Sequence, residues 1–523
     1  MPRSSGIQLV WFKRDLRIAD HWPLVRAQLA GPVIGLYVFE PSVWTAPDAD
    51  RCHFDFVVQS LKELRRQWAA RAGLLLIRTG EMIDVLDRLH ADLQTSGLLG
   101  INRVWSHEET GNAITFARDV RVSQWCKAHA AGQTEIPQNG VVRRLQSRDG
   151  WAQLWQQRMD QPVAAVPAQI TSPAFAADTR RAGFLEECPT ADQLGVRGFV
   201  KPEAKPGGES HAWDELESFL TIRGVNYQRD MSSPVAGWTG CSRLSPYLAW
   251  GNISLRSVYQ RTRQRVAQLA ELSEHDFAID RRWFSALRSF DARLRWHCHF
   301  MQKLESEPQI EFENFNHAYD GMREGFFAGA EAQRRLAAWK SGQTGYPMID
   351  ACMRALHRGG WINFRMRAML ASFSSYHLWL HWREPSVYLA TQFLDYEPGI
   401  HYSQFQMQSG TTGINTIRIY SPAKQVLDND PEGRFIRKYV PELARVPDEF
   451  LAEPHLMPGL TQHMAACVIG EDYPAPIVDH KAAYNAAKAA VFAARAKPAA
   501  KAEARRVYVK HGSRKRPSER RGS

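Results

Sequence analysis

The sequence predicts two unlike domains, an α/β Rossmann-like domain at the N-terminus and an all-α domain at the C-terminus. Three observations carry this reading. Residues 7–137 alternate short apolar runs with helical stretches, the pattern of a parallel sheet with crossover helices. From about 161 to 208 the periodicity fails under Pro162, Pro167, Pro173, Pro189, Pro202 and Pro206. Beyond that stretch the spacing of apolar residues is helical to about residue 450.

Taken in order, residues 7–12, 33–39, 74–77 and 101–106 read as buried strands, since each is an apolar run of strand length. Residues 22–30, 54–70, 82–93 and 113–129 read as the helices between them. No GxGxxG or GxxxxGK[ST] follows a strand, so no nucleotide-phosphate loop is indicated in this domain. The chain is accordingly divided into an α/β domain (1–137), a linker (138–208), a helical domain (209–450) and an extension (451–523). Within the helical domain, Ile362, Met366, Met369, Leu370 and Phe373 make an apolar stripe that predicts one helix over 361–382. In the extension, residues 481–496 read as a solvated Ala/Lys-rich helix that Pro498 interrupts, and 511–523 have a disordered composition.

Charge and composition exclude several function classes. The chain has 523 residues, with 66 Lys/Arg against 55 Asp/Glu, a net charge of +11. Residues 481–523 contain 13 of those bases and two acids, so the whole excess sits in the tail and the body is neutral. The basic balance therefore does not by itself make the main fold a nucleic-acid binder. Hydrophobic content of 44% with 17 Trp, 15 Tyr and 24 Phe excludes a mainly disordered chain. No apolar run is long enough to span a bilayer and no signal-peptide pattern opens the sequence, which predicts a soluble, cytoplasmic protein. The seven cysteines are scattered without a CxxC pair, and no metal site is expected. His297, Cys298 and His299 are adjacent, but successive helical side chains point about 100° apart and cannot all face one ion.

Several motifs together resemble the photolyase/cryptochrome family of flavoproteins. They are Trp11-Phe12-Lys13-Arg14-Asp15-Leu16-Arg17, Gly207-Gly208-Glu209, and Cys241-Ser242-Arg243-Leu244-Ser245-Pro246-Tyr247-Leu248. Further on come Trp339-Lys340-Ser341-Gly342-Gln343-Thr344-Gly345-Tyr346-Pro347, Gly360-Trp361, Arg418-Ile419-Tyr420-Ser421-Pro422 and Asp430-Pro431-Glu432-Gly433. Their order spans about residues 7–445. The resemblance implies an antenna-type α/β domain and an all-α FAD-binding domain, with FAD as cofactor, room for a second antenna chromophore of unknown identity, and UV-damaged DNA as partner of a monomer. It places Tyr227, Cys241, Ser242, Arg243, Leu244, Ser245, His297, Arg367, Asp395, Glu397 and His401 around FAD. Serines and backbone amides of the kind found at 241–245 suit a pyrophosphate. Arg367 and Asp395 match the family's ion pair beside the isoalloxazine ring. Arg365 matches a position that approaches substrate phosphate, and Trp296 an aromatic that packs on damaged bases.

The departures from the family pattern bear on function. Where many repair enzymes of the family have Asn facing flavin N5, this sequence has His401, whose imidazole can donate a hydrogen bond and titrates near neutral pH. A one-residue shift would put Tyr402 or Gln404 there instead. Arg293 replaces a substrate-contacting Glu and cannot accept hydrogen bonds. Phe364 stands where Asn is usual, and Met407 where a second aromatic wall is usual. Of the three tryptophans that commonly relay electrons to FAD, only Trp382 is present; Phe405 occupies the proximal position and the distal one falls near Gly329. Trp250, Trp379, Tyr396 and Tyr402 are substitutes. With Trp296 and His401, Trp382 completes the set expected to act in the chemistry. The resemblance implies a light-dependent lyase that splits pyrimidine dimers, with a preference for single-stranded DNA. A cryptochrome-like photoreceptor that binds FAD without repair is the alternative, and a light-independent flavin oxidoreductase lacks a nicotinamide fingerprint.

Overall fold

The computed structural model describes residues 6–173, 186–275, 280–327 and 329–513. The last residues of the compositionally disordered tail, 514–523, lie outside the described residues.

Five parallel strands, β1 (Ile7–Trp11), β2 (Val33–Phe39), β3 (Leu75–Thr79), β4 (Ile101–His107) and β5 (Gly132–Ile136), form one sheet in the order β3-β2-β1-β4-β5. Every residue of β1 and β2 is buried, as expected of strands covered on both faces. The crossovers are α1 (Trp22–Ala30), α2 (Arg51–Ala69), α3 (Met82–Thr95) and α4 (Ala113–Ala128). Asp50 and Asn112 cap α2 and α4 by accepting from their first-turn amides. The four strands and four helices read from the sequence are present with ends shifted by a few residues. β5 was not anticipated: its GQTEI sequence lacks an apolar run, and the strand is half-buried throughout, unlike β3 at the opposite edge.

The segment read as linker contains α5 (Trp151–Met159), whose Trp151, Trp155 and Met159 are buried at i, i+4, i+8. Beyond it the chain runs over both domains: the Val33 amide donates to Thr171 O at 2.7 Å, and Lys201 Nζ donates to Leu356 O and to Gln392 Oε1.

The helical domain includes α6 (Glu209–Ser218), α7 (Leu255–His275), α8 (Arg282–Ser306), α9 (Pro347–Gly359), α10 (Phe364–Ser372), α11 (Arg383–Gln392) and α12 (Pro398–Ser409). The single helix expected over 361–382 is shorter than its stripe suggested. Asn363 stands at its N-cap, α10 ends at Ser372, a π-helical turn Phe373–His377 follows, and Trp382 caps the next helix. The apolar residues continue because most of residues 373–382 are buried, so the stripe did not mark where the helix stops.

Two helices, α13 (His480–Ala496) and α14 (Pro498–His511), end the described chain. Pro498 starts a helix at its first position, where a missing N–H costs nothing, rather than breaking one. The pair is docked and not solvated. Ala487, Val491 and Ala494 pack with Tyr319 and Tyr376, and Val507 packs with Leu304, Ile310 and Phe315. Glu307 gathers Arg506, Lys510 and His511, and the hydrogen bonds and charges of these three hold its carboxyl at about 2 although burial alone would raise it.

Candidate flavin site and interdomain cleft

The loop Cys241–Leu244 runs into the short helix Ser245–Ala249. Arg243 sits at φ +58, in the left-handed region, and its guanidinium is buried between the Trp238 and Trp361 rings, 4.7 and 4.0 Å from their centroids. Its one hydrogen bond goes to Trp238 O at 3.3 Å, Nε has none, and no carboxylate pairs with it among the described residues. Burial pushes this guanidinium down to about 10. A buried cation with a spare donor is costly unless something anionic comes to it.

Opposite this loop, the segment between α11 and α12 presents two carboxylates. Asp395 holds Arg367 in a bidentate pair, Nη1–Oδ1 2.9 Å and Nη2–Oδ2 2.7 Å. Glu397 Oε2 lies 2.9 Å from His297 Nε2, an ion-pair contact that leaves neither ring nitrogen in a well-aligned hydrogen bond. Burial would lower the His297 pKa, but Glu397 more than offsets it and raises it to about 10, so the ring is imidazolium with Nδ1–H unspent. Tyr227 is buried against Phe219 and Phe290. Cys241 and Leu244 are buried, and Ser242 and Ser245 half-buried. The cluster thus contains Arg243 Nε, His297 Nδ1 and Asn363 Oδ1 as buried polar atoms without partners. Such leftovers fit a large polar ligand with an anionic centre, as FAD is.

His401 behaves differently from the sequence expectation. Its Nε2 donates to Ser386 O at 2.7 Å, and its ring packs among Phe393, Tyr396, Tyr402 and Phe405. Burial pushes its pKa down to about 4, only partly opposed by the Ser386 bond. The ring is therefore neutral at physiological pH, and with Nε2–H committed, Nδ1 is an acceptor. It neither titrates near pH 7 nor has a second N–H to offer. Gln404 is helical and half-buried, and Tyr402 is buried with its hydroxyl 3.2 Å from that of Tyr396.

Above this cluster lie two exposed aromatics, Trp296 (41%) and Phe364 (49%). Arg293 sits over the Trp296 ring at 5.3 Å, and exposed Arg365 reaches Ser232 Oγ at 3.4 Å. Met407 is half-buried on α12, which packs beside α8. Trp382 is fully buried, donating from Nε1 to Asn314 Oδ1 at 2.7 Å, while Gly329 only caps a helix. From Trp382 an aromatic series continues through Tyr402 (centroids 6.5 Å) to Tyr396, whose hydroxyl donates to Asp48 Oδ2 at 2.6 Å.

Sequence reasoning missed the cleft at that Asp48. It lies at the C-terminal ends of β1, β2 and β4, and the strand order reverses between β1 and β4. Trp11, Tyr37, Trp44, Trp250 and Tyr396 wall it, and Lys13, Arg14 and Arg118 reach it. These cations are compensated. Lys13 pairs with Asp119, and Arg118 with Glu40, Glu109 and Asp119. The aromatics come from four separate segments, and only Trp11 belongs to a motif. The same cleft joins the domains: Arg14 Nη1 donates to Tyr396 O at 2.7 Å, and His53 to Phe393 O at 2.9 Å.

One group of possible metal ligands occurs among the described residues, Asp15, His21 and His107. Here Asp15 Oδ2 accepts from both rings, at 3.0 and 2.8 Å, and His21 Nδ1 accepts the Leu24 amide as the cap of α1. His21 Nε2 consequently carries its proton and is no ligand. His297, Cys298 and His299 turn to Glu397, the Gly140 amide and Arg148 respectively.

The comparisons agree with this architecture. Residues 8–144 match the family described as DNA photolyase, and residues 290–493 the FAD binding domain of DNA photolyase. The chain is 26% identical over 510 residues to a deoxyribodipyrimidine photo-lyase of Alkalihalophilus pseudofirmus, covering 92% of this chain and 96% of that one. It is 25% identical to cryptochrome-1 of Arabidopsis thaliana over 91% of this chain and 68% of that one. The structure superposes on a class III photolyase from Agrobacterium tumefaciens with a TM-score of 0.78 at 24% identity, covering 95% of this chain and 99% of that one. No helix among the described residues is long and apolar enough to cross a membrane. Two domain matches in the right order, on a parallel sheet joined to a helical domain whose buried polar leftovers suit FAD, place this chain in the photolyase/cryptochrome family.

Proposed function

We propose that the protein is a cytoplasmic, monomeric, light-driven DNA-repair lyase that splits UV-induced pyrimidine dimers. The observation that carries this reading is the pair of exposed aromatics, Trp296 and Phe364, set beside Arg293 and Arg365 above the flavin cluster. Exposed aromatic faces next to guanidinia suit a base turned out of its stack and the phosphates flanking it. FAD, when bound and reduced, supplies a light-activated electron donor; the rest falls to the chain. Arg243, with the 241–245 loop, holds the pyrophosphate. The Arg367–Asp395 pair fixes the ring-side edge of the pocket, and the His297–Glu397 pair adds one N–H donor. His401 offers an acceptor from a neutral ring, which suits a protonated flavin N5. Trp296, Phe364 and Met407 exclude water from the lesion, and Arg365 holds its phosphate. Opening the cyclobutane ring breaks two C–C bonds and returns both pyrimidines with no net change in redox state. Turning out a lesion costs least from a single strand, so single-stranded substrate is favoured.

The interdomain cleft, with aromatic walls and paired charges, is the place for an antenna chromophore. A second reading, a blue-light photoreceptor without repair, is favoured by Arg293, which offers donors only and accepts nothing from a base edge.

Illuminated, reduced protein incubated with single- and double-stranded oligonucleotides carrying defined lesions decides between them. Restored pyrimidines in either form support the lyase. An FAD-loaded protein that restores none, for cyclobutane or 6-4 lesions alike, leaves the photoreceptor.

A further inference from the structure

The body of the chain is electrically balanced, and the excess of positive charge begins at Lys481. The structure changes what that excess can be, because much of it lies on two ordered, docked helices. Between 480 and 511 there is one acid, Glu503, and it is already bonded to Arg506. Arg506, Lys510 and His511 are themselves committed to Glu307. The remaining cations, Lys481, Lys488 and Arg495 on α13 and Lys497, Lys501 and Arg505 at the start and along α14, are exposed, and none has an acidic partner among the described residues.

Their spacing is regular. Positions 481, 488 and 495 recur every seven residues, which on a helix is one stripe with about 10 Å between charges. Positions 497, 501 and 505 recur every four, a second stripe about 6 Å apart. On both helices the stripe lies about a quarter turn round from the buried residues, Ala487, Val491 and Ala494 on one and Ala500 and Val507 on the other. Exposed Phe492 and Tyr508, each 51% accessible, interrupt the cations with aromatic surface.

The place where the helices are docked gives the stripes a direction. α13 packs on the π-helical turn Phe373–His377 and α14 on the turn His317–Tyr319, and the loop after α12 runs beside both. Ile417 and Ile419 join the apolar cluster that includes Ala487, Val491 and Ala494, Ile414 joins that of Val507, and from the 317–319 turn Asn316 Nδ2 donates to Ala500 O at 3.1 Å. That loop connects α12, the bearer of Met407, to exposed Arg418. The helix pair therefore borders the chain segment that leaves the proposed lesion pocket.

We infer that α13 and α14 form an accessory DNA-backbone track, in which unpaired Lys/Arg stripes neutralise phosphates of the strand flanking the lesion while the core pocket reads the lesion itself. This rests on the DNA-repair reading above for the identity of the core ligand. Ordered cations without counter-charges, interleaved with aromatics and aimed alongside a substrate loop, suit a regularly charged polymer rather than a folded acidic protein.

The test is a K488Q/R495Q/K501Q/R505Q variant of the full-length protein, since Gln preserves helix propensity and spares the Glu307 anchor. Binding is measured from 50 to 250 mM salt to an undamaged 40-base-pair duplex and to a short single strand carrying one dimer, with FAD content and thermal midpoint as folding controls. On the duplex, the slope of log K against log salt should fall by about 0.9 for each phosphate that is no longer neutralised. The short strand should be bound as by wild type. An unchanged slope on the duplex overturns the inference, as does an equal loss on the short strand, which would put these charges in the core site. A variant that instead loses only binding to vesicles of anionic lipid also overturns it. Failure of the repair reading looks different: wild-type protein with no preference for the damaged strand and no repair, whatever the variant does to the slope.

Discussion

The two candidate ligand sites handle charge in opposite ways. In the interdomain cleft every cation is answered: Lys13 by Asp119, and Arg118 by three carboxylates. In the flavin cluster Asp395 and Glu397 answer Arg367 and His297, but Arg243 is left over and buried. A charge-balanced, aromatic-walled space suits a flat guest of low net charge, whereas an unanswered guanidinium suits an anion. Charge balance thus distinguishes the two sites before any ligand is placed in them.

The sharpest way to break this contrast is to remove the equivalent cation from each site. Arg118→Met strands Glu40 and leaves Asp119 to Lys13 and Glu109 to a long contact with Arg14, and should cost about 3–5 kcal/mol of folding stability, read by chemical denaturation. Asp395→Ala strands Arg367 and should lower FAD affinity by about 3 kcal/mol, or more than 100-fold, read as the flavin-to-protein ratio after dialysis. Arg243→Met should do the reverse to the fold: removing an uncompensated charge leaves stability unchanged or raises it, while FAD affinity falls 10- to 100-fold. If Arg243→Met destabilises the flavin-free protein as Arg118→Met does, the contrast is wrong.

A smaller effect tests the His297–Glu397 pair. Its ring has an ordinary pKa of 6.5 and is raised to about 10 in the fold, so its contribution is complete below about pH 6.5 and is lost as pH rises through about 10. The stability gap between wild type and His297→Gln, about 2 kcal/mol at pH 7, should close by pH 10.5. Smallest, Glu307→Gln should loosen α14 by about 1 kcal/mol, seen as faster amide exchange at 498–511 with the sheet unaffected. Its carboxyl is held at about 2, so wild type should show the same loosening as pH falls from 4.5 toward 2.

Much of the fold was legible because buried parallel strands are unbroken apolar runs and the crossovers between them carry periodic faces. β5 was illegible because it lacks an apolar run and is half-buried throughout, and the end of α10 because burial continues past it. At the site, Arg367 pairs with Asp395 and His297 with Glu397, contacts between segments far apart in sequence. The chemistry of His401 could not be read from its residue type, since it depends on a carbonyl fifteen residues earlier in another helix. The docking of α13 and α14 was equally hidden, because Ala-rich helices look solvated until a partner surface such as Tyr319 and Tyr376 is known.

Tyr396 sits between Asp395 and Glu397, and the α/β domain grips it twice, at its carbonyl through Arg14 and at its hydroxyl through Asp48. The backbone that sets both flavin-side carboxylates is therefore positioned from the other domain. Prised apart from the α/β domain, the helical half would lose the alignment of its acids along with part of a shared apolar core. The border between the two folds marks an architectural division that function does not respect, and neither half is a unit that evolution could exchange by itself without retuning the other.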